Sequence, residues 1–176
     1  MHAGYDTGMR DRWWLALALF VSALAPASPS AAPAAPAFHV KLLDSGTVVD
    51  SRELIGKKVV VLRFQASWCK PCIREAAALS RLADRYRERG VEVIAVHVED
   101  TAADVRRFLH AHRTTYAVTL DPKLAIGNRF GAKGTPYTIV VDRKGEIAAR
   151  LAGESAPTKL PKILDAALVV TPSRKL

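Results

Sequence analysis

Residues 59–76 read VVVLRFQASWCKPCIREA, an apolar run that breaks at Cys69-Lys70-Pro71-Cys72 and resumes with apolar residues at a different spacing. Val59–Phe64 has the composition of a strand covered on both faces. Ile73, Ala76, Leu79, Leu82 and Tyr86 then recur at helical spacing, and Gly90 stops the helix they define. The cysteines therefore fall where a buried strand ends and a helix starts. A helix N-terminus presents free N–H groups and partial positive charge, both of which stabilise a thiolate. Cys69, at the very start, gains most and is expected to be the exposed nucleophile. Cys72, one turn in and facing the sheet, is expected to be the resolving thiol. Their spacing puts both sulfurs on one side of the first turn, close enough to bridge. Pro71 has no N–H to lose in a first turn and stiffens it, and Lys70 adds positive charge beside Cys69. A bridge closing so small a ring contributes only about 2 kcal/mol by loop-closure entropy. A redox role explains the pair better than a structural staple does.

The rest of the chain alternates strands and helices. Phe38–Leu43 and Thr47–Val49 flank Asp44-Ser45-Gly46 and suggest an N-terminal hairpin. Val91–Val98 (VEVIAVHV) reads as the next buried strand, and Thr101 with Asp104 forms a capping signal for a helix to about His112. Tyr116–Leu120 reads as a strand. Asp121-Pro122 reads as an N-cap with a first-turn proline, opening a helix to about Phe130. Tyr137–Val141 and Glu146–Leu151 surround a hairpin signal at Asp142-Arg143-Lys144-Gly145. A last helix is expected from about Pro157 to Leu168. This order predicts an α/β fold with a central, mixed but mostly parallel sheet flanked by helices.

Composition sets the outer limits. With 176 residues, 49% apolar and 24% charged, the chain is in the globular range, long enough for one domain with a core. Two Cys exclude a multi-bridge scaffold and a four-thiolate zinc site. The net charge of +9 comes from scattered Lys and Arg. The cluster at Arg81, Arg85, Arg87 and Arg89 has no interleaved aromatics and reads as a solvated helix face, so no nucleic-acid partner is expected. Arg10 and Arg12 precede an apolar run, Trp13 to Ala25, with small residues and prolines after it. That is the pattern of a secretory signal, expected over residues 1–27 and cleaved or kept as an anchor. Residues 28–37 read as an Ala/Pro linker, residues 38–170 as the domain and residues 171–176 as a tail. The location expected is periplasmic or otherwise extracytoplasmic, where a cysteine pair is either a bridge or a working couple.

The segment Phe64 to Cys72 (FQASWCKPC) resembles the active-site segment of thioredoxin-fold proteins. More narrowly, the chain is similar to the TlpA/ResA-like branch of bacterial thiol–disulfide oxidoreductases. Glu75, three residues after the second Cys, matches an acidic residue of that branch. An N-terminal hairpin precedes the first core strand, and an extra βα unit, residues 113–130, precedes Gly134-Thr135-Pro136. The resemblance spans roughly residues 38–169. It implies that Pro136 is a cis-proline packed against the cysteines, with Thr135 and Gly134 offering backbone to an extended substrate segment. It implies a lid role for Trp68 and a proton-acceptor role for Glu75. It implies no cofactor beyond the Cys69–Cys72 disulfide. The expected activity is reduction of disulfides in exported proteins, apocytochrome c among them, with electrons from a membrane thiol donor and the protein acting as a monomer.

Two residues depart from the pattern. Arg63 stands where thioredoxins carry a buried Asp and the branch commonly an Asn. A guanidinium in a central strand needs a partner, and Glu75 is the expected one. Gln65 replaces a usual aromatic. Two other functions fit the same cysteines: a disulfide-forming oxidant, and a non-enzymatic Cu(I)-binding or delivery protein using the thiolates with a histidine. Against copper, the related copper-chaperone branch spaces its Cys one residue wider, and His110 and His112 point apart on their helix. His97, in a core strand, is expected to be a hydrogen-bonded structural residue. No metal site is expected.

Overall fold

The computed structural model describes Met1 and residues 32–170. The signal read over residues 1–27, Met1 apart, and the tail 171–176 lie outside the described residues. Among the described residues no helix is long and apolar enough to cross a membrane.

Strand β1 (His39–Lys41) pairs antiparallel with β2 (Val48–Asp50), which leads into a short helix α1 (Ser51–Leu54). The central elements follow as β3 (Val59–Gln65), α2 (Lys70–Arg87), β4 (Val91–Val98), α3 (Ala102–His112), β5 (Ala117–Asp121), α4 (Ala125–Phe130), β6 (Tyr137–Val141), β7 (Ile147–Ala152) and α5 (Ala156–Val169). The five-stranded sheet has the order β5-β4-β3-β6-β7. β3 and β4 are parallel, as are β4 and β5, whereas β6 runs antiparallel to both its neighbours. Only β6 opposes the common direction, so the sheet is mixed with parallel strands predominating, as the alternating pattern predicts. β3 lies at its centre.

The continuous apolar reading of β3 has its reason here, because both faces of that strand are covered. Val59 and Val61 pack with Leu79, Leu82, Leu160 and Leu164 from α2 and α5. Val60, Leu62 and Phe64 pack with Phe38, Phe130 and Ile139 on the other side. Each such fully buried side chain contributes about 1.5–3 kcal/mol, enough in sum to hold the end of β3 as a rigid platform. Thr101 and Asp104 form the expected reciprocal cap on α3.

Two boundaries differ from the expectation. The helix read from Asp121-Pro122 starts at Ala125 instead. Asp121 is still in the sheet, opposite Val98, and Leu124 takes a left-handed φ of 56°. The Asp121 carboxylate nevertheless accepts from the backbone N–H of Ile126 and Gly127, at 2.9 and 2.8 Å, and so caps the helix from outside it. The Ala/Pro stretch read as a linker to Ala37 joins the domain earlier. Pro33 O accepts from Ile147 N, and Ala35 N donates to Gly145 O. Backbone groups of the β6–β7 hairpin hold the stretch, and Ala35 packs against the core beside Phe38.

Candidate active site

The C-terminal end of β3 runs into a tight turn, Ala66 to Cys69, closed by Cys69 N donating to Ala66 O at 3.2 Å. Cys69 is the N-cap of α2, and Pro stands in the helix's first turn. Cys69 and Cys72 are joined in a disulfide, and Cys69 Sγ accepts from the Cys72 backbone N–H at 3.3 Å. The helix-end donor reaches the sulfur assigned as nucleophile, as the sequence pattern predicts. One expectation is corrected: Cys69 is not exposed in this bridged form but 3% accessible, against 1% for Cys72. Exposed Trp68 and Lys70 flank Cys69 in the chain.

The Thr135–Pro136 bond is cis. Gly134 is exposed, Thr135 half-buried and Pro136 buried. Trp68 is 60% accessible and so belongs to the surface rather than the core. With Phe64, Leu124, Gly134 and Thr135 it lines a groove of about 150 Å³. A larger groove of about 680 Å³ lies at the β1–β2 hairpin and β5 and holds none of these residues. Among the described residues no group of three or more His, Cys, Asp or Glu is arranged to hold a metal ion.

Arg63 and Glu75 form the expected ion pair, with side chains 1% and 11% accessible. Arg63 also donates from Nη1 to Thr138 Oγ1 at 3.0 Å, while its Nε has no hydrogen-bond partner. Burial pulls the guanidinium below its ordinary value, and Glu75 opposes that shift; it stays a cation. Glu75 is therefore committed to a buried charge.

Four groups near the turn form a cluster; His97 is hydrogen-bonded within it as expected, whereas the roles of Ser67 and Asp100 and the pairing with Gln65 were not foreseen. Ser67 donates from both its N–H and its Oγ to Asp100, each at 2.7 Å. His97 Nδ1 lies 2.7 Å from Asp100 Oδ2, and His97 Nε2 lies 2.8 Å from Gln65 Nε2. The available signal was positional: Gln65 and His97 are polar residues at paired positions near the ends of two adjacent buried strands, with Asp100 three residues further on. Burial pushes the Tyr116 hydroxyl beside Gln65 up to about 12.

Burial also lowers His97 below its ordinary imidazole value, outweighing the Asp100 contact that raises it. The unfolded chain then binds a proton that the folded one does not. The folded state is expected to keep this contribution above roughly pH 6.5 and lose it as pH falls below that value. Urea midpoints measured between about pH 7.5 and 5 should fall for the parent and fall less for His97→Gln. Equal declines would remove His97 as the cause.

Residues 32–150 match the AhpC/TSA family. Thiol–disulfide oxidoreductase ResA of Bacillus thuringiensis (strain Al Hakam) is 31% identical over 126 residues, 72% of each chain. The ResA protein of Halalkalibacterium halodurans is 34% identical over 102 residues, covering 58% of this chain and 57% of that one. Among solved structures, a Chlorobium tepidum protein described as a thiol:disulfide interchange protein, DsbE, superposes with a TM-score of 0.71 at 29% identity. That match covers 80% of this chain and 99% of that one.

Proposed function

Since the chain belongs to the AhpC/TSA family and is a thiol–disulfide oxidoreductase of the ResA kind, we propose that Cys69 and Cys72 form its redox couple, run in the reducing direction outside the cytoplasm. The observation that carries this is the Cys72 N–H directed at Cys69 Sγ at the head of α2, since it favours a thiolate at that sulfur.

In the reduced protein the Cys69 thiolate attacks one sulfur of a substrate disulfide. A mixed disulfide forms and the other substrate sulfur leaves as a thiolate. Cys72, deprotonated, then attacks Cys69 Sγ. The Cys69–Cys72 bond forms, the second substrate thiolate departs, and both leaving thiolates take up protons. Two electrons have passed from the cysteine pair to the substrate. The cycle closes when a membrane-bound dithiol donor returns two electrons to the bridge. The groove beside Trp68, Gly134 and Thr135 suits an extended segment around the substrate cystine. Exported proteins with disulfides, apocytochrome c included, are the proposed substrates, met by a monomer of this chain.

A Cys72→Ser variant is expected to accumulate mixed disulfides with envelope proteins, recovered by thiol-trapping and mass spectrometry. The reduction potential of the parent is expected near the roughly −270 mV of thioredoxin. A potential near the roughly −120 mV of the strongest bacterial oxidant would assign the opposite direction. No captured partner, where a ResA protein treated alike captures several, would overturn the reductase role.

A further inference from the structure

Beneath the Ala66–Cys69 turn runs a chain of buried polar groups that the exchange chemistry does not use. Asp100 is 5% accessible, His97 0%, Gln65 1% and Tyr116 4%. Asp100 accepts three hydrogen bonds, from Ser67 N, Ser67 Oγ and His97 Nδ1. One histidine tautomer satisfies every partner: Nδ1–H donates to Asp100, and the bare Nε2 accepts from the Gln65 amide. Gln65 Nε2 also approaches Tyr116 Oη at 3.4 Å, and the Phe108 ring meets the imidazole edge-on at 5.2 Å between centroids.

We propose that Asp100 is a positioning residue for the cysteine pair: oriented by His97, it clamps Ser67 and thereby fixes the turn that sets Cys69 at the head of α2. This rests on the redox reading of that pair.

Three features separate the arrangement from an ordinary loop staple. Two of the three bonds to the carboxylate come from a single residue, placed two positions before Cys69. Apolar side chains would fill the same space without the desolvation that four polar groups incur. The residue ahead of Asp100, Glu99, holds a left-handed φ of 55°. That conformation is unfavourable for a side chain with a Cβ, and it occurs at the bend that delivers Asp100 to Ser67. Backbone strain maintained at such a spot argues for a demand on geometry.

The test uses the reduced full-length protein. Iodoacetamide alkylation of Cys69 is followed from about pH 5 to pH 10, beside equilibration with glutathione. Asp100→Ala removes the carboxylate and with it the acceptor of all three bonds. At about pH 6 its alkylation is expected to fall at least roughly five-fold below the parent, the size of one such bond, and to meet the parent at high pH where every thiol is ionised. The glutathione equilibrium should shift toward the disulfide in step. Ser67→Ala, which removes only the Oγ donor, should move both readouts the same way by roughly two-fold. If Asp100→Ala does not fold, Ser67→Ala decides. Profiles coinciding with the parent in whichever variants fold, even with a lowered melting temperature, would overturn the proposal and leave a purely structural clamp. Reduction of insulin by the parent tests the redox reading separately, so the two can fail independently.

Discussion

Cys69→Ser is expected to extinguish disulfide exchange, with insulin reduction falling by roughly 10³-fold or more. A serine hydroxyl at the N-cap still satisfies the Cys72 N–H, so the helix and the fold should survive. What disappears is the sulfur proposed to attack as a thiolate at the helix end and to form the mixed disulfide. The thiol of Cys72 is no substitute, because it lies inside α2 and not at the N-cap, where the helix-end donor reaches the sulfur. Far-ultraviolet circular dichroism should match the parent while turnover is lost. Residual activity within about tenfold of the parent would mean that Cys72 or another group begins the attack.

The second large effect is on stability. Glu75→Ala is expected to lower the unfolding free energy by about 3–5 kcal/mol, because it leaves the Arg63 charge buried without its counter-ion. Thr138 would remain as its side-chain partner, a neutral one. Replacing both members, as Arg63→Met with Glu75→Gln, should recover most of the loss, since the cost lies in the orphaned cation and not in the missing pair. Urea unfolding of the parent, Arg63→Met, Glu75→Gln and the double variant closes the cycle. A loss below about 1 kcal/mol for Glu75→Ala would show that water or backbone takes over. The same protein answers the mechanistic question. With its carboxylate held by Arg63, Glu75 is expected to contribute little as a proton acceptor, so Glu75→Gln should leave the pH profile of Cys69 alkylation unchanged. A displaced profile would return it to the chemistry.

The architecture was legible because its signals are local and redundant. Val59–Phe64, Ile73–Tyr86 and Val91–Val98 each carry a period set by how they are buried, and the Thr101–Asp104 cap needs nothing distant. The cysteine pair was legible for the same reason, since strand, turn and helix start are consecutive in the chain. Arg63 with Glu75 followed from the cost of burying a lone charge. Asp121-Pro122 misled because a strong local cap signal lost to a ladder partner on β4. His97 was expected to be hydrogen-bonded, but its partners Asp100, Gln65 and Ser67 were not foreseen, because the cluster joins two separate segments that meet only when β3 and β4 are aligned in register. The burial of Cys69 was not legible, because a strand-and-helix pattern does not encode how the turn packs over the sulfur.

The attachment of Pro33–Ala35 to Gly145 and Ile147 has a practical bearing. Val141, just ahead of that hairpin turn, pairs with Val60 near the start of β3, whereas the disulfide follows the opposite end of the same strand. Residue 32 therefore enters the domain at the pole remote from the sulfurs. A purification handle, fluorophore or solid support joined directly at residue 32 is therefore attached away from the disulfide, and protein immobilised through it should exchange disulfides about as fast as free protein.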